Sequence, residues 1–593
     1  MRHGANIGLR GNDNRKLIGS CQWGATAFPS KLFKVITSSR YSDVLAVLLL
    51  LAVWILALLA VDPTGNFPLN DDWAYASAVR TLVEQGEIRL SGWTATNLIA
   101  QLLWGALFCL PFGFSFTALR VSTLVLAALG VLATYGLLRE AQAKPGTALI
   151  AAATLAFCPI YFALSFTFMT DVPFTAVATL SSWLLLRGLR RGGRAEIIAG
   201  LALAMAAILI RQIGLAIPIT FALAYVVKRG FGLRQVIEAI VPVTAGFAVQ
   251  AAYQGWLHWL DRVPPTFGAQ IATIQMQLSL PWHTIIGDAA TIFFYVLVYT
   301  GFLLLPFLIV VYRADSGSRE RIIYFGAAGA SAVLTVMLAA HRVLMPLHGN
   351  VLSKAGIGPS DLASSPARFR LLMTFLACLG AFLQVPGLIR GSLGYLASSR
   401  PRLEAQQPHV LVFALAVIAI EFAPLPLLGL GPHGFYDRYL VVFLPWLMLI
   451  LAGCDFAPSS GRRKAVWVTG VAALVLMAAF SIGATHDYMA MNRARWAALE
   501  DTMRRYHVGP ESIDGGFEFN AWYLYDDGYV SKPGKSWWWV IDDDYVVQRV
   551  LRPGYEKLAE YSVDWWLPWS SGRVIVQRRM IGTNVDPVAR DPN

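Results

Sequence analysis

The stretch that decides the reading of this chain is "NDDWAYASAVRTLVEQGEIRL", Asn70 to Leu90. It follows an apolar run of about twenty residues, the length one helix needs to cross a hydrocarbon core, and another apolar run comes after it. Two adjacent carboxylates, Asp71 and Asp72, therefore stand where the chain leaves a membrane. Beyond them Trp73, Ala76, Val79 and Val83 recur at helical spacing, which predicts a helix lying along the membrane surface. Either Asp71 caps that helix and Asp72 complements its dipole, or the pair does chemistry at the membrane exit.

Composition widens this to the whole chain. Of 593 residues 56% are hydrophobic and only 14% charged, where a soluble domain carries about a quarter charged residues. The chain reads as a polytopic α-helical membrane protein. Its net charge of +12 comes from Lys and Arg scattered between apolar runs, which is a topology signal and excludes a nucleic-acid partner. The five cysteines, Cys21, Cys109, Cys158, Cys378 and Cys454, lack metal-ligand spacing, so neither a disulfide framework nor thiol chemistry is expected.

Basic connectors alternate with segments poor in clustered positive charge. The basic ones are the tail of residues 1–42, Arg139 to Lys144, Arg187 to Arg194, Lys228 to Arg234, Arg313 to Arg321, Arg390 to Arg402 and Arg462 to Lys464. Counting every apolar run as a span breaks the alternation once. Leu98 to Phe112 is short, carries Gln101 and ends at Pro111 and Gly113, so it is assigned as re-entrant or interfacial. About thirteen crossings remain within residues 43–484, with a cytoplasmic N-terminus and an external loop over 62–97. Residues 485–593 differ: helix-period "RARWAALEDTMRRY" precedes β-like "SWWWVI" and "RVIVQRR" with Gly, Pro and Asp turn signals between. They predict a small external C-terminal α/β domain, whose crowded aromatics either form a core or line a sugar surface.

Ionisable groups in apolar surroundings mark the candidate site. Asp171 lies in "SFTFMTDVPF" on the side assigned to Asp71, as N-cap or as working acid. Arg211 in "ILIRQIGL" divides an apolar stretch into two short helices and needs an anion, supplied by Asp171 or a lipid phosphate. "GPHGFYDRYLVVFLPW" brings His433, Asp437, Arg438 and Tyr439 to the start of a late span. Glu421 is an acid inside "VIAIEFAPLP" with no assigned partner, and His341 with Arg342 closes another helix on the same face.

The order "DDWAY", "TDVP", "RQIGL" and "RY" before Pro445, all on one side, resembles the membrane glycosyltransferases of the GT-C superfold. It is similar to the family-39-like branch of protein O-mannosyltransferases and the bacterial aminoarabinose transferase of lipid A. The resemblance covers roughly residues 43 to 484. Relatives commonly carry Asp-Glu in place of Asp71-Asp72 and often a Lys near Arg211.

The resemblance implies transfer of a sugar from a polyprenyl-phosphate donor to an acceptor hydroxyl on a cell-envelope glycan, lipid or protein, with inversion, at the outer face of the plasma (inner) membrane. Asp71 is then the base. Asp72, Tyr75 and Asp171 orient acceptor or donor, while Arg211, Arg342, Arg438 and Tyr439 bind the donor phosphate. No cofactor is required, and a divalent metal on Asp72, Asp171 and His433 is left open. Two rivals stand beside this reading: a lipid-linked-sugar flippase or transporter, which should show related halves not seen here, and a non-catalytic scaffold indifferent to Asp71 and Asp171.

Overall fold

The computed structural model describes residues 39–311, 318–358, 364–397, 407–428, 435–456, 463–531, 535 and 538–580. The chain divides into two compact units, Met1–Leu45 and Ala46–Asn593. The first is described only from Ser39, where the helix Ser39–Val61 begins, so most of the basic tail lies outside the described residues. All later elements belong to the second unit.

Among the described residues, 10 helices are long and apolar enough to cross a membrane, or up to 11 when the bent pair Pro145–Ala156 and Pro159–Ser165 counts as one. This is fewer than the thirteen expected, and the shortfall has a local cause. The helices Arg194–Ile210, of 17 residues, and Pro408–Phe422, of 15, fall short of the roughly twenty residues a full crossing needs. The first ends at Arg211, whose extended backbone leads into a 3-10 turn, Gln212–Leu215, before the helix Ala216–Arg229. Gly214 makes that break possible, since a Cβ there would lie 2.6 Å from the Ala207 carbonyl carbon. The second ends at Phe422, two residues before Pro424. The run assigned as re-entrant forms a helix of only 11 residues, Ile99–Cys109.

The C-terminal region departs from its expected boundary. One helix of 44 residues, Arg463–Tyr506, runs through Thr485 without a break and is about 66 Å long, twice a hydrocarbon core. A four-stranded sheet follows, made of β1 (Ile513–Asp514), β2 (Tyr545–Gln548), β3 (Tyr555–Ser562) and β4 (Arg573–Arg579), in the order β1-β2-β4-β3. The β1–β2 pairing is parallel and the others antiparallel. "RVIVQRR" is thus a strand, whereas in the segment expected to match it Trp538 and Trp539 form a turn.

Packing explains that exception. Trp539 stands 5.7 Å from Trp73 and 5.4 Å from Trp93, while Phe517 stands 4.6 Å from Trp538 and Tyr525 4.8 Å from Trp73. Rings from the C-terminal region and from the 62–97 loop therefore share one core, with Trp73 and Trp539 buried. Of the two aromatic roles expected, these rings take the packing one, and residues 485–593 do not separate from the rest of the second unit.

Candidate active site

The adjacent acids Asp71 and Asp72 begin the helix Asp72–Gln85 and do different things. Asp72 is buried, and its carboxylate accepts from Leu69 N at 2.7 Å and from Phe168 N at 3.0 Å. Burial pushes this carboxyl up to about 7, against the pull of both N–H groups and of Arg120. Asp71 makes no capping hydrogen bond. Its Oδ2 instead accepts from Arg438 Nη1 at 2.8 Å and its Oδ1 from Trp93 Nε1 at 3.1 Å.

Arg438 has a pinned neighbour of its own. Asp437 is fully buried and accepts from Asn350 N, Val351 N and Leu352 N at 3.1, 2.9 and 2.7 Å. In both doublets one acid ties backbone together while the residue beside it is free to form the ion pair.

A second pair lies across from the first. Arg211 Nη1 donates to Asp171 Oδ1 at 2.6 Å. Asp171 is the first residue of the helix Asp171–Arg191 and Arg211 directly follows Ile210, so the charges sit at the helix ends that favour their signs. Asp171 makes its bond to Arg211 through its side chain, and the residue before it, Thr170, makes no side-chain cap either. Both arginines approach the ring of Tyr439, at 6.0 Å from Arg211 and 5.7 Å from Arg438, and Arg438 also lies 5.0 Å from the Tyr436 ring.

These groups surround one cavity of about 620 Å³, a size suited to a sugar and a phosphate. Tyr75, Asp171, Arg211, Glu421, Arg438 and Tyr439 line it, and Arg211 and Glu421 belong to the ends of the two short helices. Asp71 is not part of the lining; it is paired with Arg438, which is. Burial raises the Tyr75 phenol above its ordinary value, with Asp71 adding to the rise.

Several expectations are corrected. Asp72 does not face the cavity, because both its oxygens are engaged by backbone N–H groups. Arg342 is exposed just after the helix Ser318–Ala340, at φ 60°, and is not part of the lining, so it stands apart from the other two arginines. His433 lies outside the described residues. Among the described residues no group of three His, Cys, Asp or Glu is placed to hold a metal ion. Asp171 Oδ1 is engaged by Arg211, and both oxygens of Asp72 are engaged by backbone N–H groups. Glu421 is buried and lines the cavity.

Two residues escaped the sequence reading. Trp93, the second partner of Asp71, stands in a loop without periodicity. Arg120, buried in the helix Phe116–Glu140, donates to Pro63 O at 3.2 Å and also to Gly65 O and Phe67 O, shaping the strand of chain that leads to Asp71. Its signal was present as a lone arginine in "FTALRVSTLVLAALG".

Residues 99–259, less than a third of the chain, match the family described as dolichyl-phosphate-mannose-protein mannosyltransferase. That segment contains Asp171 and Arg211, and the match agrees with the resemblance read from the motifs. No curated protein matches the chain. Among solved structures it is similar to the crystal structure of ArnT from Cupriavidus metallidurans in the apo state, at 15% identity and TM-score 0.39, covering 90% of this chain and 97% of that one. The same enzyme bound to undecaprenyl phosphate gives 16% identity and TM-score 0.38, with the same coverage. The arabinosyltransferase EmbB from Mycobacterium smegmatis gives 13% identity and TM-score 0.31, covering 81% of this chain and 44% of that one. At such TM-scores no residue of the site is carried across.

Proposed function

We propose that this protein is a membrane glycosyltransferase that moves a sugar from a polyprenyl-phosphate donor to an acceptor hydroxyl on a cell-envelope glycan, lipid or protein, at the extracytoplasmic face of the plasma membrane. The observation that carries the reading is the cavity, lined by the Asp171–Arg211 pair, by Tyr75 and Tyr439, and by Arg438, which is paired with Asp71 outside the lining. A glycosyl phosphate needs its leaving group's charge balanced, and Arg211 and Arg438 are planar donors suited to phosphate oxygens. The acceptor hydroxyl needs a carboxylate to take its proton. Asp71 serves as that base, since it lies on the segment between spans where an acceptor arrives. Asp171 holds Arg211, Tyr75 and Tyr439 contact the sugar, and Asp72 fixes the position of Asp71. Direct displacement by the acceptor inverts the anomeric carbon, and no metal-dependent step is part of the scheme.

Deleting the gene and analysing the lipid fraction tests this. A polyprenyl-phosphate-linked sugar should accumulate and disappear when the wild-type chain is restored. An unchanged lipid-linked sugar pool in the deletion strain, with the envelope glycans also unchanged, contradicts the proposal.

A further inference from the structure

The residue assigned as base does not face the cavity in which the sugar must react. Arg438 is part of the lining and Asp71 is not; both Asp71 oxygens are engaged, one by Arg438 Nη1 and one by Trp93 Nε1. The oxygen that would take the acceptor's proton, Oδ2, is the one that already accepts from Arg438. Proton transfer needs Arg438 to let go of Asp71.

We infer that the donor phosphate itself releases the base: it takes Arg438 from Asp71, so that Asp71 Oδ2 becomes available only when the donor is bound. This rests on the proposed function and adds an order of events to it. Three features of the site support the exchange. Arg438 carries five N–H donors and spends one on Asp71, and its guanidinium faces the cavity where a phosphate would sit. Tyr436 and Tyr439 lie beside the guanidinium, and Asp437 anchors the backbone next to it through three N–H bonds, so the side chain can change partner without the wall collapsing. Trp93 keeps Asp71 Oδ1 in place after Arg438 leaves, and its ring is packed against Trp73 and Trp539.

The groups that face Asp71 are Arg438, Tyr75, Tyr436 and Trp93, with the Asp171–Arg211 pair beyond. In the step itself the acceptor oxygen bonds to the anomeric carbon and its proton passes to Asp71 Oδ2. The bond from that carbon to the phosphate oxygen breaks, and the electron pair leaves with the phosphate, held by Arg438. Without donor the base stays closed, which protects the site from proton uptake by water or by an acceptor that arrives first.

The exchange predicts an unusual sign. If phosphate competes with Asp71 for Arg438, then removing the carboxylate leaves a buried arginine without its partner and should tighten phosphate binding. The experiment measures binding of undecaprenyl phosphate, and of undecaprenol as the uncharged control, to the full chain in nanodiscs. Wild type should prefer undecaprenyl phosphate. Asp71→Asn should bind it about tenfold more tightly, Asp71→Ser should do the same, and Arg438→Gln should weaken it by tenfold or more. Thermal melting confirms that each variant is folded. Equal or weaker binding by folded Asp71→Asn and Asp71→Ser overturns the inference and shows that Asp71 only holds Arg438 in place. A wild type that does not distinguish the two lipids overturns the proposed function, a different failure from the first.

Discussion

The Asp71–Arg438 pair and the Asp171–Arg211 pair use the same two side chains at similar distances, 2.8 and 2.6 Å, yet they are held by different means. Asp171 and Arg211 stand at a helix start and just past a helix end, where backbone dipoles favour both charges, and both line the cavity. That pair is a fixture of the membrane part. Asp71 and Arg438 are braced from behind by Asp72 and Asp437, which tie backbone segments together, and only the arginine reaches the cavity. In the proposed exchange, this bracing lets the pair open without moving the chain on either side. A fixed pair suits substrate holding, and a braced, openable pair suits proton transfer.

Four substitutions test the contrast, in falling order of effect. Asp71→Asn keeps size but removes the proton acceptor, and transfer should fall by about a hundredfold or more. Near-wild-type turnover would move the base elsewhere, Asp171 being the next carboxylate. Arg211→Lys exchanges a planar fork for a point charge, and a loss of about tenfold is expected, equivalent to roughly 1.4 kcal/mol from a charge-assisted bond. Arg234→Lys, on an exposed arginine paired only within its own helix, serves as the comparison and should leave the rate unchanged. If both replacements behave alike, the second pair is not part of the site.

Trp93→Phe keeps the ring and removes the N–H on Asp71, so turnover should drop several-fold while undecaprenyl phosphate binding stays as in wild type. Loss of lipid binding instead would make Trp93 a packing residue for the whole cavity. Asp72→Asn should leave the rate of the folded protein nearly intact but cost about 1–3 kcal/mol of stability, because Asn offers one acceptor oxygen to two backbone donors. The pH dependence follows from the same residue. Burial raises Asp72 from 3.8 to about 7, so the protonated form is favoured in the folded state. Its contribution is fully present below about 4 and is lost as pH rises through 7. Thermal midpoints of wild type should therefore fall between pH 5 and pH 8, and those of Asp72→Asn should fall less. A catalytic collapse with unchanged stability in Asp72→Asn would reverse the roles given to the two neighbours.

Much of this was visible in the chain because charge in apolar surroundings is costly. Asp171, Arg211 and Arg438 stood out for that reason, and the topology divided the apolar stretch around "RQIGL" into two short helices. Which acid meets which arginine was not visible, since Asp71 and Arg438 lie 367 residues apart and composition carries no register between helices. Nor was the division of labour within Asp71-Asp72. One residue turns a helical side chain by about 100°, and only the path of Leu69 and Phe168 decides which carboxylate is captured by backbone. About thirteen crossings were expected and 10 or up to 11 helices among the described residues are long and apolar enough to cross, the difference lying with short helices that end at the cavity, since an apolar run does not reveal its own depth. "SWWWVI" carried strand propensity, but at Trp538 and Trp539 the chain turns, and Trp539 packs against Trp73 and Trp93.

The most direct measurement is a structure of the full chain in nanodiscs with undecaprenyl phosphate. The account predicts the phosphate in the cavity against Arg438, the Asp71–Arg438 separation opened beyond about 4 Å, the limit of an ion pair, and Asp71 still bonded to Trp93. A phosphate bound outside the cavity, or one bound inside it with Asp71 and Arg438 still paired, would contradict it.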